Sequence, residues 1–528
     1  MNFDVIVIGS GFGGAITGCR LAEGGYKVLI LERGRRWDKT TYPREPGDPW
    51  IWNQERPEKL NGWADLRVFP NMSVIQGAGV GGGSLIYANI LAEAHKNVFQ
   101  RGWPPEITYD ELKPHYDRVG SFMNVQKIPV NQLNARTLLM KEAAEKIGHG
   151  DRFKLVDLAV SFDPALTFDP NNPPDPSQSR RFVNAQGVEQ GFCIHVGACD
   201  VGCPVDAKNT LDLNYIPWAE RHGAQVRPLH FVTNIEPVTG GYKVSCDELK
   251  DGRRVARSET ARVVIVAAGS LGSTELLMRC RDENRSLPNI SQYLGRDWSS
   301  NGDFLTPAFY RDRDISPTKG ITIAGAIDFL DGSQNGQVFW VEDGGIPDLL
   351  GFYLGGVSGA FPPGLRADFL IKFIQSSLRR RDAFKQLMPW FAQGVDGGDG
   401  RWSLKRPWWW PFGRRRLNLS WDVEKSKPVI NEIIKMHKRL SEATNGRVIV
   451  PPTWTISKDL ITPHPLGGCK MGASPGNGVV NHLGEVFGHR NLYVADGAIV
   501  PVPLGVNPSR TIGALAERIA QNIKTEGR

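Results

Sequence analysis

The chain has 528 residues, which is enough for two domains or for one large two-lobed unit. Its 41% apolar and 23% charged residues are typical of a globular protein, and a net charge of only +7 argues against nucleic acid as the main partner. No apolar run approaches the ~18 residues that a membrane-spanning helix needs.

The first residues lead directly into an apolar strand. Met1 and Asn2 are followed by FDVIVIGSG, without the basic region or the cleavage site of a secretory signal. We therefore expect a cytoplasmic protein. In that reducing compartment, clustered cysteines are more often metal-binding or redox-active than disulfide-bonded.

Residues 3–34, FDVIVIGSGFGGAITGCRLAEGGYKVLILERG, predict a strand, a glycine turn, a helix and a second strand. The two strands are expected at Phe3–Ile8 and Lys27–Leu31. A helix that begins at such a turn presents backbone N–H groups to a phosphate. The unit therefore predicts a dinucleotide site in a Rossmann-type domain.

Three glycines and one acid give this unit its binding chemistry. Gly9 permits the tight turn, Gly11 lets the backbone approach a pyrophosphate, and Gly14 allows close packing of helix on strand. Glu32 closes the second strand, where a carboxylate can accept hydrogen bonds from ribose hydroxyls and disfavours the 2′-phosphate of NADP. The motif does not separate NAD from FAD.

Four later stretches favour FAD over NAD, because they resemble a known protein family. They are NMSVIQGAGVGGGSLIYANILAEA (71–94), ARVVIVAAGSLGSTELLMR (261–279), HPLGGCKMG (464–472) and NLYVADGAIVPVPLGVNPSRTIGALAERIA (491–520). In this order they resemble the glucose–methanol–choline (GMC) flavoproteins, and within that family the chain looks most like the cholesterol oxidase branch. The resemblance implies FAD as the cofactor and an α/β fold.

The same resemblance places FAD contacts in these stretches and in one strand between them. The implied cofactor-binding residues are Gly81, Gly82, Ser84, Asn89, Val232, Ala268 and Asp496. Glycines in the 81–84 loop offer bare backbone N–H groups where a phosphate or a flavin edge can come close. No histidine follows that loop, so we expect FAD to be bound non-covalently.

Three of the seven cysteines, Cys193, Cys199 and Cys203, lie within eleven positions. A disulfide would leave one thiol over, and zinc would need a fourth ligand such as His195 in an unusual spacing. The spacing also resembles the set that holds a three-iron cluster in the catalytic subunit of bacterial FAD-dependent glucose dehydrogenases. Simple packing in a tight loop is the alternative to this iron–sulfur cluster. We favour the cluster, with Cys193, Cys199 and Cys203 as ligands, because it would give a dehydrogenase an exit path for electrons.

The FAD-binding stretches are separated in sequence, which predicts two interleaved domains. The Rossmann-type FAD-binding domain is expected at 1–40, 70–95, 190–295 and 462–528. An α+β substrate-binding domain, built on an antiparallel sheet, is expected at 41–69, 96–189 and 296–461. In its last part, RLNLSWDVE (416–424) suggests a strand of that sheet, and KPVINEIIKMHKRLSEATN (427–445) has the spacing of a covering helix.

Two stretches of that domain combine basic and apolar residues: FLIKFIQSSLRRRDAFKQLMPWF (369–391) and RWSLKRPWWWPFGRRR (401–416). One interpretation is an amphipathic helix packed on its own protein and a loop that covers the active site. The other is a peripheral contact with the inner face of the membrane, with aromatic rings in the interface and cations on lipid phosphates.

His464 in HPLGGC and Asn507 in GVNPS match the active-site pair of the family. Oxidation of an alcohol removes the hydroxyl proton while hydride leaves the carbinol carbon for flavin N5. His464 would orient the hydroxyl and accept its proton. Asn507 would hydrogen-bond the same oxygen.

One departure from the cholesterol oxidases concerns a glutamate that moves a proton during Δ5 to Δ4 isomerisation. The comparable stretch, VFWVEDGGIPDLLGFYLGG, has Glu342 and Asp343 near that position but not clearly at it. A coupled isomerase activity is therefore in doubt, and so is an exact sterol substrate.

The leading hypothesis is an FAD-dependent GMC alcohol dehydrogenase or oxidase that acts on a bulky, sterol-like or long-chain alcohol. Its electron acceptor would be oxygen or an external carrier. A non-redox lyase or decarboxylase on the same fold is the alternative, which retention of both His464 and Asn507 disfavours. An NAD-binding or purely structural protein would not need the four later stretches.

Overall fold

The computed structural model describes residues 1–44, 47–169, 175–347, 385–406 and 413–526. Its strands are β1 (Phe3–Ile8), β2 (Val28–Leu31), β3 (Ile51–Trp52), β4 (Ala64–Phe69), β5 (Met72–Gly77), β6 (Phe153–Leu155), β7 (Arg181–Val183), β8 (Glu189–Gly191), β9 (Gln225–Arg227), β10 (His230–Val238), β11 (Gly241–Lys250), β12 (Arg253–Val266), β13 (Phe304–Tyr310), β14 (Gly325–Gln334), β15 (Gln337–Glu342), β16 (Leu387–Gly394), β17 (Arg401–Lys405), β18 (Arg416–Ser420), β19 (Gly446–Val448), β20 (Leu460–Thr462) and β21 (Leu492–Val494). Its α-helices are α1 (Phe12–Glu23), α2 (Tyr109–Phe122), α3 (Ala135–Lys146), α4 (Tyr215–Arg221), α5 (Gly269–Met278), α6 (Val423–Ala443), α7 (Pro452–Thr455) and α8 (Ser509–Glu526).

A seven-stranded sheet contains the predicted N-terminal unit. Its order is β10-β11-β12-β1-β2-β9, and β21 pairs with the last part of β12. Strands β12, β1, β2, β9 and β21 run parallel, and their apolar side chains are buried. Helix α1 packs on β1 and β2, and α8 packs on α1. This sheet confirms the predicted Rossmann-type fold.

A six-stranded antiparallel sheet forms the second lobe, in the order β19-β13-β16-β15-β14-β6. Helix α6 covers it and begins four residues earlier than the sequence suggests, because the Asp422 carboxylate caps it by accepting from the Glu424 N–H at 3.1 Å. The chain enters and leaves both sheets several times. The α/β class, with an interleaved lobe on an antiparallel sheet, is therefore confirmed, while the exact domain boundaries stay a prediction.

Where they are described, the two basic, apolar stretches differ from their interpretation as an amphipathic helix and a loop that covers the active site. Residues 387–391 belong to β16, a buried strand in the middle of the antiparallel sheet, so the predicted helix cannot extend that far. Trp402 on β17 is buried against Trp298 and is part of the core. The predicted strand at 416–424 pairs with β17 in a separate hairpin rather than with the large sheet. Residues 369–384 and 407–412 of these stretches lie outside the described part of the chain.

Among the helices of the described residues, none combines the length and the apolarity required to cross a bilayer.

Candidate active site

A cavity of about 500 Å³ is lined by residues from both large sheets. Nine of the residues predicted from the sequence line it: Gly9, Gly11, Glu32, Gly82, Val232, Ala268, His464, Asp496 and Asn507. The structure thus places most of the predicted dinucleotide residues and the predicted catalytic pair at one cavity.

Two glycine turns meet at the wall of this cavity. A Cβ on Gly82 would lie 2.5 Å from the Cα of Gly11, and a Cβ on Gly9 would lie 2.3 Å from the Ala267 carbonyl oxygen. Gly9 and Gly82 also have φ values of 99° and 53°, which non-glycine residues rarely adopt. The turns therefore leave a backbone surface that a phosphate can approach closely.

Ser10 joins the two turns to Glu32. The Glu32 carboxylate accepts from the Ser10 N–H at 3.0 Å, from the Ser10 hydroxyl at 2.7 Å and from the Gly34 N–H at 2.9 Å. The Ser10 hydroxyl also accepts from the Gly81 N–H at 3.1 Å. Glu32 thus holds the loops in place in addition to lining the cavity.

Like Glu32, Asp496 both lines the cavity and holds a neighbouring segment in place. Its carboxylate accepts from the N–H groups of Gly269 and Ala498, both at 2.8 Å, and from the Ser273 hydroxyl at 2.5 Å. Burial raises the pKa of this carboxyl, whereas these hydrogen bonds stabilise its charged form. Asp496 therefore fixes the start of α5 at the cavity.

Four predicted cofactor residues do not line the cavity. Gly14 packs under the first turn, where its Cβ would lie 2.0 Å from the Gly9 carbonyl oxygen. Gly81 and Ser84 lie behind the second turn, and the Ser84 hydroxyl donates to the Gly81 carbonyl at 2.8 Å. Asn89 is fully buried, and both polar atoms of its side chain lack a partner among the described residues.

His464 is held by a carboxylate that the sequence analysis missed. Its Nδ1 lies 2.8 Å from Asp303 Oδ1, and the Thr462 hydroxyl donates to Asp303 Oδ2 at 2.5 Å. Burial raises the pKa of Asp303, although the nearby His464 acts in the opposite direction. With Nδ1 directed at Asp303, Nε2 is the ring nitrogen left for a ligand in the cavity.

The loop that carries Asn507 is held by Asn301, which lies two residues before Asp303 in the chain. The Asn301 side chain accepts from the N–H groups of Leu504 and Gly505, both at 2.9 Å, and donates to the Val506 carbonyl at 2.9 Å. Oδ1 of Asn507 is buried and has no partner among the described residues. The segment SSNGD (299–303) therefore orients both members of the predicted catalytic pair.

The sequence carried only a weak signal for Ser10, Asn301 and Asp303. Ser10 is one of the variable positions of its glycine motif, and SSNGD reads as an ordinary polar turn. Asp303 and His464 are 161 positions apart, so only the tertiary fold reveals their contact.

Glu342 and Asp343 are both fully buried and are not part of the cavity lining. Burial raises the pKa of Glu342 well above its ordinary value, and the carboxylates of Asp303 and Asp343 act in the same direction. Glu342 Oε2 accepts from the Gln393 amide at 3.1 Å, while Oε1 has no partner in the described structure. Asp343 accepts from the N–H groups of Ala324 and Gly325, each at 2.8 Å, which is a structural contact.

The three clustered cysteines are free thiols. Burial raises the pKa of Cys193 and of Cys203, and the Cys203 sulfur accepts from the Ala207 N–H at 3.3 Å. In the described ranges, no three side chains of His, Cys, Asp or Glu are grouped as metal ligands. An iron–sulfur cluster needs several thiolates grouped as ligands, so this arrangement of the described side chains does not fit one.

Comparisons with known proteins agree with this geometry. A family model described as GMC oxidoreductase matches residues 412–516. The cholesterol oxidase of Acinetobacter baumannii is 32% identical over 98% of this chain and 93% of its own length. The cholesterol oxidase of Mycobacterium tuberculosis is 31% identical over 98% of this chain and 90% of its own.

A solved structure of an FAD-dependent oxidoreductase from Chaetomium thermophilum has the same fold. It superposes with a TM-score of 0.65 at 14% identity, and the match covers 100% of both chains.

Proposed function

Because the chain belongs to the GMC family of FAD-dependent oxidoreductases, we propose that it oxidises a bulky hydrophobic alcohol to the carbonyl compound. Sterol-like and long-chain alcohols are the substrate classes that we expect. The observation that carries the proposal is that His464, whose Nδ1 is held by Asp303, lines the same cavity as the glycine turns of the dinucleotide site.

The residues at the cavity fit FAD. The two glycine turns form a cradle at the cavity wall that a Cβ would fill, so the backbone can come close to a pyrophosphate there. When bound, FAD supplies the ring that accepts hydride from the carbinol carbon. Glu32, Asp496, Val232 and Ala268 would line its site, and Gly14, Gly81 and Ser84 would support it.

His464 would take the hydroxyl proton on Nε2. For that role Nε2 must be unprotonated, which requires the ring proton on Nδ1, and the ionised Asp303 carboxylate stabilises that tautomer by accepting it. Asp303 is thus a positioning residue. As the proton leaves for His464 and hydride leaves the carbon, the C–O bond becomes the carbonyl double bond.

Asn507 would act on the same oxygen. Its side-chain amide can donate to the oxygen as negative charge develops there, and Asn301 fixes the loop that carries it. An alcohol-oxidising site needs such a base and donor at one oxygen. This requirement is why the lyase or decarboxylase alternative is disfavoured.

The cavity wall near His464 suits a bulky apolar substrate. Leu305 on β13 and Phe391 on β16 are directly paired across the sheet, and both line the cavity. Paired residues project to the same face, so these two side chains form one apolar surface. Leu305 is 40% exposed, which places it near the mouth.

The decisive test is anaerobic mixing of the FAD-loaded protein with sterols, long-chain alcohols and short alcohols. We expect bulky apolar alcohols to bleach the flavin absorbance faster than short ones. Reoxidation by oxygen or only by an artificial carrier would then distinguish an oxidase from a dehydrogenase. If no alcohol reduces the flavin, the proposed reaction is wrong.

Glu32→Ala should lose FAD more readily than the wild type, since it removes the ribose acceptor and also releases the Ser10 and Gly34 N–H groups. Ser10→Ala removes one hydroxyl and leaves the carboxylate, so it should lose less FAD. The FAD dissociation constant and the melting temperature of the apoprotein measure the two effects. Equal FAD retention in Glu32→Ala and wild type would place the ribose contact elsewhere.

The three-iron cluster suggested by the cysteine spacing is not supported by the arrangement of the described side chains. We expect anaerobically purified protein to contain no stoichiometric iron, and Cys199→Ser to leave electron transfer to acceptors unchanged. Iron analysis and electron paramagnetic resonance check this. Three irons per chain would overturn our expectation and would favour an external electron carrier over oxygen.

Contact with a membrane and the cellular location are also proposals from the sequence. Contact with the inner face of the membrane now rests on residues 369–384 and 407–412, which lie outside the described residues. A cytoplasmic location and the absence of nucleic acid as a partner remain expectations from the sequence.

A further inference from the structure

Arg136, the second residue of α3, is fully buried and lies outside the cavity lining. Its guanidinium donates hydrogen bonds to backbone carbonyls of two loops, 316–323 before β14 and 343–345 after β15. The acceptors, at 2.5–3.3 Å, are the carbonyls of Ser316, Pro317, Lys319, Ile321, Thr322 and Asp343. A guanidinium holds its five N–H donors in one rigid plane, so this side chain fixes the two loops relative to each other.

Both loops supply part of the cavity lining. Thr322 and Ile323 come from the first loop, Gly344 and Gly345 come from the second, and we call these four residues the 322/344 wall. The two halves of the wall touch, because a Cβ on Gly345 would lie 2.9 Å from the Thr322 carbonyl oxygen. The same Cβ would lie 3.0 Å from Nη2 of Arg136, which is therefore directly behind the wall.

The 322/344 wall adjoins the predicted catalytic histidine through Phe391. The ring centres of Phe391 and His464 are 6.4 Å apart, and a Cβ on Gly344 would lie 3.3 Å from the Phe391 Cβ. Phe391 and the wall belong to the lobe of the antiparallel sheet, whereas the first glycine turn of the dinucleotide site follows β1 of the other sheet. An alcohol whose hydroxyl reaches His464 can therefore extend past Phe391 to the wall if it is long or bulky, and a short alcohol ends before it.

We propose that Arg136 is a positioning residue for bulky substrates. By holding the 322/344 wall in one conformation, it presents a fixed surface on which the apolar body of the alcohol packs while the hydroxyl reaches His464. This inference rests on the proposed function and adds to it a residue that touches neither the cavity nor the reacting atoms. A purely structural role would lower stability and affect all alcohols alike, whereas a fixed wall matters for those alcohols that reach it.

Arg136→Lys tests the proposal because it keeps the positive charge and loses the rigid fork. A lysine has three donors on a flexible stem, so it cannot hold both loops as the guanidinium does. The bulky probes are cholesterol in detergent micelles and 1-dodecanol, and the short probe is 1-propanol. Dissociation constants come from the change in flavin absorbance of the oxidised holoenzyme, and second-order rate constants come from anaerobic flavin reduction.

We expect the dissociation constant of the bulky alcohol in Arg136→Lys to rise about tenfold, because binding must then order the wall. Its rate constant for flavin reduction should fall ~10- to 10²-fold, since a misplaced substrate meets His464 in the wrong geometry. The rate constant for 1-propanol should change much less. The ratio of the bulky to the short rate constant should thus fall about tenfold or more.

Gly345→Ala perturbs the wall and leaves Arg136 in place. Its Cβ would press on the Thr322 carbonyl oxygen at 2.9 Å, so the ratio should shift in the same direction. Arg518→Lys is the matched control, because Arg518 is buried, donates to the His482 carbonyl at 2.6 Å and lies outside the cavity lining. It should lower the melting temperature and leave the ratio unchanged. FAD content and melting temperature are measured for every variant, and if Arg136→Lys does not fold, Gly345→Ala carries the test.

The binding and reduction data separate this inference from the proposed function. If the ratio in Gly345→Ala and in any folded Arg136→Lys equals that of the wild type, Arg136 supports the fold alone and the inference is wrong, whereas flavin reduction by alcohols still supports the proposed function. If no alcohol reduces the wild-type flavin, the proposed reaction is wrong. A rise in the dissociation constant of the bulky alcohol in the wall variants, absent from Arg518→Lys, would even then support the role of Arg136.

Discussion

His464→Ala should keep bound FAD and reduce it by alcohol at least ~10²-fold more slowly, because general-base catalysis contributes ~10²–10⁴-fold. The side chain lines the cavity but makes none of the contacts that hold the glycine turns, so FAD binding should not change. Stopped-flow flavin reduction measures the rate, and the bound flavin spectrum measures FAD content. Asn507→Ala should show the same pattern.

His222→Ala is the matched control, since His222 is exposed and outside the cavity lining. It should reduce flavin at the wild-type rate. A near-wild-type rate in His464→Ala would show that another group accepts the proton.

Slower flavin reduction is also expected when the positioning residue is changed in Asp303→Asn. An asparagine can place its NH₂ group against Nδ1, which would favour the other tautomer and occupy Nε2 with a proton. Flavin reduction should fall by ~10²-fold or more. Asp396→Asn is the control, because Asp396 binds Ser299 and Ser300 of the same segment without touching His464.

The pH profile distinguishes positioning from a purely structural role of Asp303. The carboxylate must be ionised to accept the Nδ1 proton, so activity is present above its pKa and is lost as pH falls through it. Burial raises this pKa, and the acid limb should therefore lie above the range of an ordinary aspartate. That limb should shift in Asp303→Asn, because the variant has no carboxylate at this position to titrate. An unchanged profile would assign Asp303 to the fold alone.

The sequence predicts the dinucleotide-binding domain well because the residues that define it lie close together along the chain. Gly9, Gly11 and Gly14 act within one turn, and the buried run before them has the length of a strand. β1 accordingly has the predicted bounds, and β2 begins one residue later than predicted. His464 and Asn507 were found through motifs, which identify residues without giving their contacts.

The substrate lobe was harder to predict because its contacts are distant in sequence. The run LMPWFA is apolar without a period and follows a basic, helix-like stretch, so nothing local separates the buried strand β16 from the end of a helix. Its neighbours in the sheet, β13 and β15, lie far away along the chain.

Gly82→Ala should lose FAD, because the added methyl group would disrupt the contact between the two glycine turns. A Cβ there would meet the Gly11 backbone at 2.5 Å, and the residue has a φ of 53°. The left-handed backbone costs about 1–2 kcal/mol and overpacking about 1–3 kcal/mol. If the turns separate to relieve this strain, the cradle opens and FAD affinity should fall roughly 10- to 10³-fold.

Gly336→Ala isolates the backbone cost of that substitution. Gly336 has a φ of 73°, and a Cβ there would meet nothing within 4 Å. It lies in the turn between β14 and β15, away from the cavity lining. We expect it to lower stability by about 1–2 kcal/mol without changing the FAD dissociation constant. If Gly82→Ala behaves in the same way, the contact between the turns does not control FAD binding, and the cofactor must be held mainly by Glu32, Asp496 and their neighbours.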